Sequence, residues 1–265
     1  ADKLRKVMGN KQRDKIPKQR EMFVNGAIKK GIEEQTAINI FNQMEKFASY
    51  GFNKSHAAAY SLISYQTAYL KAHYMVEFMS AVMDLDMTNT DKLFLYKEEC
   101  KKNGITVLQP DVNKSDYLFS VEDGKIRYSL SAVKGVGEAN MKALVEERKK
   151  NGPFKDISDF VHRIDSKQIN RRQIENLIKA GAFDCFDKNR RKLYENVGTI
   201  IKNINAATEL KNSAQSSLFG GEELKSKIKL EEFPDWPDFE RLQYEAETIG
   251  FYLSAHPLDS YKDGM

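Results

Sequence analysis

Ser131 to Gly152 reads SAVKGVGEANMKALVEERKKNG, a Gly135-Val136-Gly137 turn set between apolar residues and a helix that starts at Glu138. Glycine enters tight backbone conformations that other residues resist. A turn of that kind, opening directly into a helix, leaves the N–H groups of the helix start facing outward, where they suit a phosphate. This is the arrangement of a helix-hairpin-helix motif on DNA. Lys134, Lys142, Arg148 and Lys149 place cations nearby. Met141 stands where the motif usually carries a small residue, so looser helix packing is expected at that point. By itself a Gly-x-Gly fits a plain strand-to-helix turn equally well.

A second unit follows. KQINRRQIENLIKAGAFDCFDKNRRKLYENV, residues 167–197, reads as a helix, an Ala-Gly-Ala turn at Gly181 and another helix. It is flanked by Lys167, Arg171, Arg172, Lys179, Lys188, Arg190 and Arg191. Paired hairpins grip duplex phosphates without reading bases. The alternative is a solvated basic helix face. Because the cations collect at turns and helix starts, phosphate contact is the favoured reading, with Lys134, Gly135, Val136, Gly137, Lys142, Arg171, Arg172, Lys179 and Gly181 as the DNA-binding set.

Upstream of the first turn the period is that of strands. YLFSVEDGKIRYSL holds two alternating runs joined at Asp123-Gly124, a strong hairpin signal, and ITVLQP reads as a short strand ended by Pro110. Earlier still, apolar residues return at three and four positions through KQREMFVNGAIKKG, EEQTAINIFNQMEKFASYGF and KSHAAAYSLISYQTAYLKAHYMVEFMSAVM, which predicts helices. NTDKLFLYKEECKKNG adds a helix capped by Asn89 and stopped by Gly104. Helices are expected again from Glu138 to about Lys211. Residues 212–235 are rich in Ser, Gly, Glu and Lys and read as a linker, and DFERLQYEAETIGFYL is a last amphipathic helix. The fold class is therefore mostly α with a small β insert.

A chain of 265 residues with 41% hydrophobic content can fill a substantial core. Its net charge is only +4 although 30% of residues are charged, so affinity for nucleic acid must come from local clusters of Lys and Arg. Cys100 and Cys185 lie far apart, which gives neither a zinc knuckle nor a disulfide framework, and a reducing cytoplasm fits best. No apolar run is long enough to cross a bilayer, and the first residues lack the apolar core of a signal peptide. The absence of an initial Met, in mid-pattern, suggests an excised piece.

One more helix start carries chemistry. Asn53 or Ser55 can cap the helix after GFNKSH, whose first turn concentrates backbone donors, Lys54 and the imidazole of His56. That trio suits a phosphate or is simply a capped helix start. Tyr60, Leu62, Ile63 and Tyr69 further along read as core. Asp84 and Asp86, in DLDM, read as solvated acids at a helix end.

Five separated stretches, FNKSHAAAYSLISYQTAYLKAHY, LQPDVNKS, IRYSLSAVKGVGE, NRRQIENLIKAGAFD and TIGFYLSAHPLDSY, in this order, resemble the alpha subunits of bacterial replicative DNA polymerase III, the C-family polymerases. The resemblance spans nearly the whole chain. It implies that residues 1–115 are the outer part of the polymerase fingers and 116–211 the β-hairpin with tandem helix-hairpin-helix motifs. Residues 212–235 would be a linker with a clamp-binding motif, and 236–265 a helix leading toward an OB domain. Lys54, Ser55 and His56 would face the incoming deoxynucleoside triphosphate or the template. The family's catalytic palm binds Mg²⁺ through acidic motifs that nothing in this chain matches, so the segment is expected to be inactive alone and to carry no cofactor. Implied partners are primer–template duplex, the sliding clamp and other holoenzyme subunits, with no membrane. The alternative is a non-enzymatic duplex-binding repair or scaffold protein built on the same hairpins.

Gln215-Ser216-Ser217-Leu218-Phe219, in the polar linker, is similar to the sliding-clamp-binding pentapeptide, in which Gln anchors by hydrogen bonds and Leu and Phe enter apolar pockets. The other reading has Leu218 and Phe219 folding back onto their own domain.

Overall fold

The structure, a computed structural model, describes residues 2–9, 13–50, 54–212 and 227–259. By internal contacts the chain divides into two compact units, Ala1–Tyr69 and Leu70–Met265.

The first unit contains α1 (Asp2–Gly9), a short 3₁₀ turn, α2 (Ile16–Ile28), α3 (Glu34–Tyr50) and most of α4 (Lys54–His73). Val7, Val24, Ala37 and Phe41 form its buried centre, with the rings of Phe23 and Phe41 5.6 Å apart. The long helix α4 differs from expectation: none of its described residues is buried, and Tyr60, Leu62, Ile63 and Tyr69 are about half exposed or more. Its apolar residues are distributed around the whole circumference, a pattern usual in helices covered on every side, yet here they stand exposed.

The second unit is built on a three-stranded sheet of order β1-β3-β2, from β1 (Val107–Leu108), β2 (Ser120–Glu122) and β3 (Lys125–Arg127). β2 and β3 pair antiparallel across the Asp123-Gly124 turn, where both residues have positive φ, 49° and 72°. That is the tight hairpin geometry the Asp-Gly pair favours. β1 joins β3 in parallel, with Val107 opposite Ile126. α5 (Met75–Leu85) packs on the sheet and on α6 (Thr90–Lys102), whose first turn is capped by Asn89.

Past the sheet come α7 (Glu138–Asn151), α8 (Ile157–Arg163), α9 (Arg171–Lys179), α10 (Arg190–Glu195) and α11 (Val197–Asn212), with α12 (Asp238–Ile249) lying on α9. One continuous core runs from Met79 and Met83 through Ile126, Tyr128 and Leu130 to Leu144, Phe160, Leu177 and Phe183. Phe154, Phe160, Phe183 and Phe186 meet edge-on or tilted at 5–6 Å, the arrangement aromatic quadrupoles prefer. Met141 is wholly buried in this core, so the thioether fills the space the motif's small residue would leave, and the packing is closed where it was expected to be loose.

The stretch LQPDVNKS links the two hairpins. The Val112 amide donates to the Ala182 carbonyl at 2.9 Å, the Asn113 side chain exchanges hydrogen bonds with both backbone groups of Phe154, and Arg148 donates to the Val112 carbonyl. Residues 227–235, inside the stretch read as linker, and Trp236 just past it are attached to the helices. The Ile228 amide donates to Ser158, Asn196 exchanges bonds with the backbone of Glu231, Asn189 donates to the Phe233 carbonyl, and Trp236 is buried against Tyr194 and Tyr244. Side-chain amides far away in sequence satisfy this backbone, a pairing that composition cannot signal.

Candidate nucleic-acid interface

The first glycine turn is fixed from several directions. Val136 is buried and its amide donates to the Val133 carbonyl, which anchors the turn from inside while Gly135 and Gly137 stay exposed. Gly135 has φ +74°, and a β-carbon there would lie 2.9 Å from Asn176 Nδ2 and 3.4 Å from Arg172 Nε, so both conformation and space require glycine. On either side of the Lys134 residue the backbone is tied: its N–H donates to the Thr248 carbonyl at 2.8 Å, and its carbonyl accepts from Asn176 Nδ2 at 2.7 Å. Gly137 is the N-cap of α7 and offers no side-chain cap to the first helical amides. α6, α8, α9 and α10, by contrast, start under an Asn or Asp side chain.

Four of the cations expected at this turn, Lys134, Lys142, Arg171 and Arg172, are exposed, and Arg172 is placed beside it. Arg172 projects from the first turn of α9 beside Gly135, so the second hairpin supplies a cation to the first hairpin's turn. Arg171 pairs with Glu175 one helical turn on, and Lys142 reaches toward the Tyr117 ring. Arg148, in contrast, is buried among Val112 and its neighbours, and Lys149 pairs with Asp116.

The second turn is built differently. Gly181 has φ +85° but is buried, and a β-carbon there would lie 2.7 Å from Arg190 Cζ and closer still to its Nη2. Arg190 is 1% exposed; it holds both carboxylate oxygens of Asp184 at 2.8 and 2.7 Å and the Lys179 carbonyl at 3.1 Å. Glu245, fully buried, lies 3.7 Å from the same guanidinium and accepts the amides of Leu253 and Ser254 and the Gln109 side chain. Arg190, grouped in sequence with the flanking cations, is thus an internal brace, and Gly181 is glycine to make room for it. Lys179 faces inward too, over the Tyr244 ring at 4.6 Å and beside Glu247 at 3.3 Å. Nothing local in the sequence separates Arg190 from Arg191; the only hint is the carboxylate of Asp184 six residues before it.

Lys54, Ser55 and His56 form the exposed first turn of α4, with the His56 ring stacked on Tyr60 at 4.2 Å. Gln215, Ser216, Ser217, Leu218 and Phe219 lie outside the described residues, as does Asn53. Asp84 and Asp86 are engaged, contrary to the solvated reading. Asp84 accepts the Phe119 amide at 2.7 Å, while Asp86 accepts from Lys92 at 2.7 Å and from the Tyr96 hydroxyl at 2.6 Å. Burial pushes the Cys100 thiol up to about 11, and loss of hydration around the sulfur with Asp111 beside it pushes the Cys185 thiol up to about 12 although that residue is partly open to solvent, so neither supplies a thiolate near neutrality. Among the described residues no three His, Cys, Asp or Glu side chains gather into a set able to hold a metal ion, and no helix is long and apolar enough to cross a membrane.

A family model described as a helix-hairpin-helix motif matches residues 104–193. Over 98% of its length the chain is 46% identical to DNA polymerase III subunit alpha of Vibrio cholerae and to that of Neisseria meningitidis, and 43% identical to that of Escherichia coli. It spans 23% of the length of each of these relatives.

Proposed function

We propose that this chain is the duplex-gripping segment of a C-family replicative DNA polymerase, a reading that proceeds from its similarity, over 98% of its length, to a segment of DNA polymerase III subunit alpha. The observation that carries it is the Gly135-Val136-Gly137 turn, two exposed glycines on either side of a buried valine, opening onto an uncapped helix start with Arg172 beside it and with Lys134 and Lys142 exposed on the same stretch. Backbone N–H groups at such a turn bind a phosphate oxygen by direction, and the cations add attraction that does not depend on sequence. Contacts of this kind to the phosphate backbone position the duplex and leave the reading of bases to other parts. Gly181 and Lys179 enter this account as supports for the second hairpin, which delivers Arg171 and Arg172.

The wider polymerase reading gives the remaining candidates their roles. Lys54, Ser55 and His56 meet the phosphates of an incoming nucleotide or of the template strand, and Gln215 to Phe219 bind the sliding clamp. Template-directed nucleotidyl transfer belongs to the complete polymerase and to Mg²⁺ held by carboxylates of another segment; no set among the described residues fits the ion, so no step runs through it. A match along the whole chain favours the polymerase over a scaffold that shares only the hairpins.

Anisotropy of a labelled duplex, titrated with the chain across a range of salt, tests the proposal. If about four phosphates are engaged, log affinity falls with log salt at a slope near about −3.6, equally for unrelated sequences. Salt-independent binding, or none at low salt, would overturn it.

A further inference from the structure

The contacts of α9 bear on what aims the donors of the first turn. Asn176 is neutral and sits on the second hairpin, yet its Nδ2 donates to the Lys134 carbonyl at 2.7 Å. That carbonyl and the Gly135 N–H belong to one planar trans peptide, so they point in opposite directions. Capturing the carbonyl on the α9 side turns the Gly135 N–H away from α9. The preceding peptide is held as well, by the bond from the Lys134 N–H to the Thr248 carbonyl of α12. One helical turn before Asn176, the buried Gln173 faces the same way: its Oε1 accepts the Asn170 amide at 2.9 Å and Asn140 Nδ2 of α7 at 3.2 Å. Two side-chain amides of α9 thus clasp the turn and the first turn of the helix it starts.

We propose that Asn176 is the positioning residue of the phosphate seat, fixing the Gly135 peptide so that its N–H is aimed at a duplex phosphate before DNA arrives. This rests on the phosphate-binding reading above. Preorganised donors bind without first losing conformational freedom, so their worth appears as affinity and not as new contact. Because Asn176 carries no charge, its removal leaves the number of neutralised phosphates unchanged, whereas removal of Arg172 lowers that number.

The test compares wild type, Asn176→Ala and Arg172→Ala by duplex anisotropy over a range of salt, with melting and the NMR order parameter of the Gly135 N–H measured on the same proteins free of DNA. Asn176→Ala should bind about fivefold more weakly at every salt, the equilibrium worth of one net hydrogen bond, on a line parallel to that of wild type. Arg172→Ala should flatten the slope by about 0.9. The order parameter of the Gly135 N–H should fall in Asn176→Ala and also in Asn176→Asp, which keeps the shape of the side chain but cannot donate, with melting lowered by no more than the few degrees that one hydrogen bond contributes. Lower melting with unaltered affinity of the folded protein would make Asn176 a structural residue and overturn the proposal, as would an unchanged order parameter in both variants. Wild-type binding that Asn176→Ala matches at every salt overturns this inference alone. Failure of wild type to bind duplex at all overturns the phosphate reading and this inference with it.

Discussion

Gly181→Ala and Gly104→Ala form a matched pair. Both glycines follow a helix with the same two backbone bonds, from the glycine N–H to the carbonyl three residues back and from the next N–H to the carbonyl five residues back, and both have positive φ, 85° and 73°, so each alanine incurs a similar backbone strain, about 1 kcal/mol. They differ in surroundings. Around Gly104 nothing lies within 4 Å of where the β-carbon would stand, whereas at Gly181 that carbon meets the guanidinium of Arg190. Arg190 cannot withdraw cheaply, since it is 1% exposed, fork-bonded to Asp184 and bonded to the Lys179 carbonyl. Displacing one member of a buried ion pair costs about 3–5 kcal/mol. Gly181→Ala should therefore destabilise by about 4 kcal/mol or more and Gly104→Ala by about 1 kcal/mol. For a unit of this size the melting temperature should fall by about 10 °C and by about 2–4 °C respectively. Calorimetry on both variants decides it. Equal melting losses would mean that Arg190 moves freely, and would refute the view of the second turn as an internal brace.

Three further outcomes are expected. Asn170→Ala removes the capping box it forms with Gln173 and should cost about 1 kcal/mol by chemical denaturation, while Arg171→Ala, whose partner Glu175 is one exposed helical turn away, should cost less. Burial, with Asp116 adding repulsion and the Phe119 amide partly opposing, holds the Asp84 carboxyl above its usual range. The stability contributed by that group is whole below the ordinary carboxylate pKa and is lost as pH rises through the raised value. Asp84→Asn, which still accepts the Phe119 amide, should melt higher than wild type at neutral pH, with the advantage vanishing in acid; a lower melting temperature at neutral pH would contradict this. Leu218→Ala combined with Phe219→Ala should abolish binding in a titration with purified sliding clamp and leave melting almost unchanged, whereas a marked drop in melting would place the pair in this protein's own core.

Local chemistry was legible where a feature is made by neighbours in sequence. Asp123-Gly124 announces the hairpin because two adjacent residues set the turn, and Asn170-Arg171-Arg172-Gln173 contains its own helix start, since cap and capping-box partner lie three residues apart. Glycine at 135 and 181 was equally visible, but the reason for each was not. Gly135 is exposed beside Arg172 and Asn176, and Gly181 is buried beneath Arg190; only the tertiary fold separates the two. Side-chain to backbone bonds across long sequence separations, such as Asn196 with Glu231 or Asn189 with Phe233, turn part of an apparent linker into an attached strap. α4 misled for a different reason: apolar residues all around a helix signal burial, but do not say by what.

Duplex DNA is expected to meet the first glycine turn and not the second. Backbone amide NMR of the chain, recorded as a short duplex of arbitrary sequence is added at low salt, tests it most directly. The largest shifts should fall on Gly135, Gly137 and Glu138, with smaller ones on Arg171 and Arg172, while Gly181 and Ala182 stay unmoved; adding salt should reverse the changes. Shifts centred on Gly181, or a turn at Gly135 that remains silent while DNA binds, would contradict it.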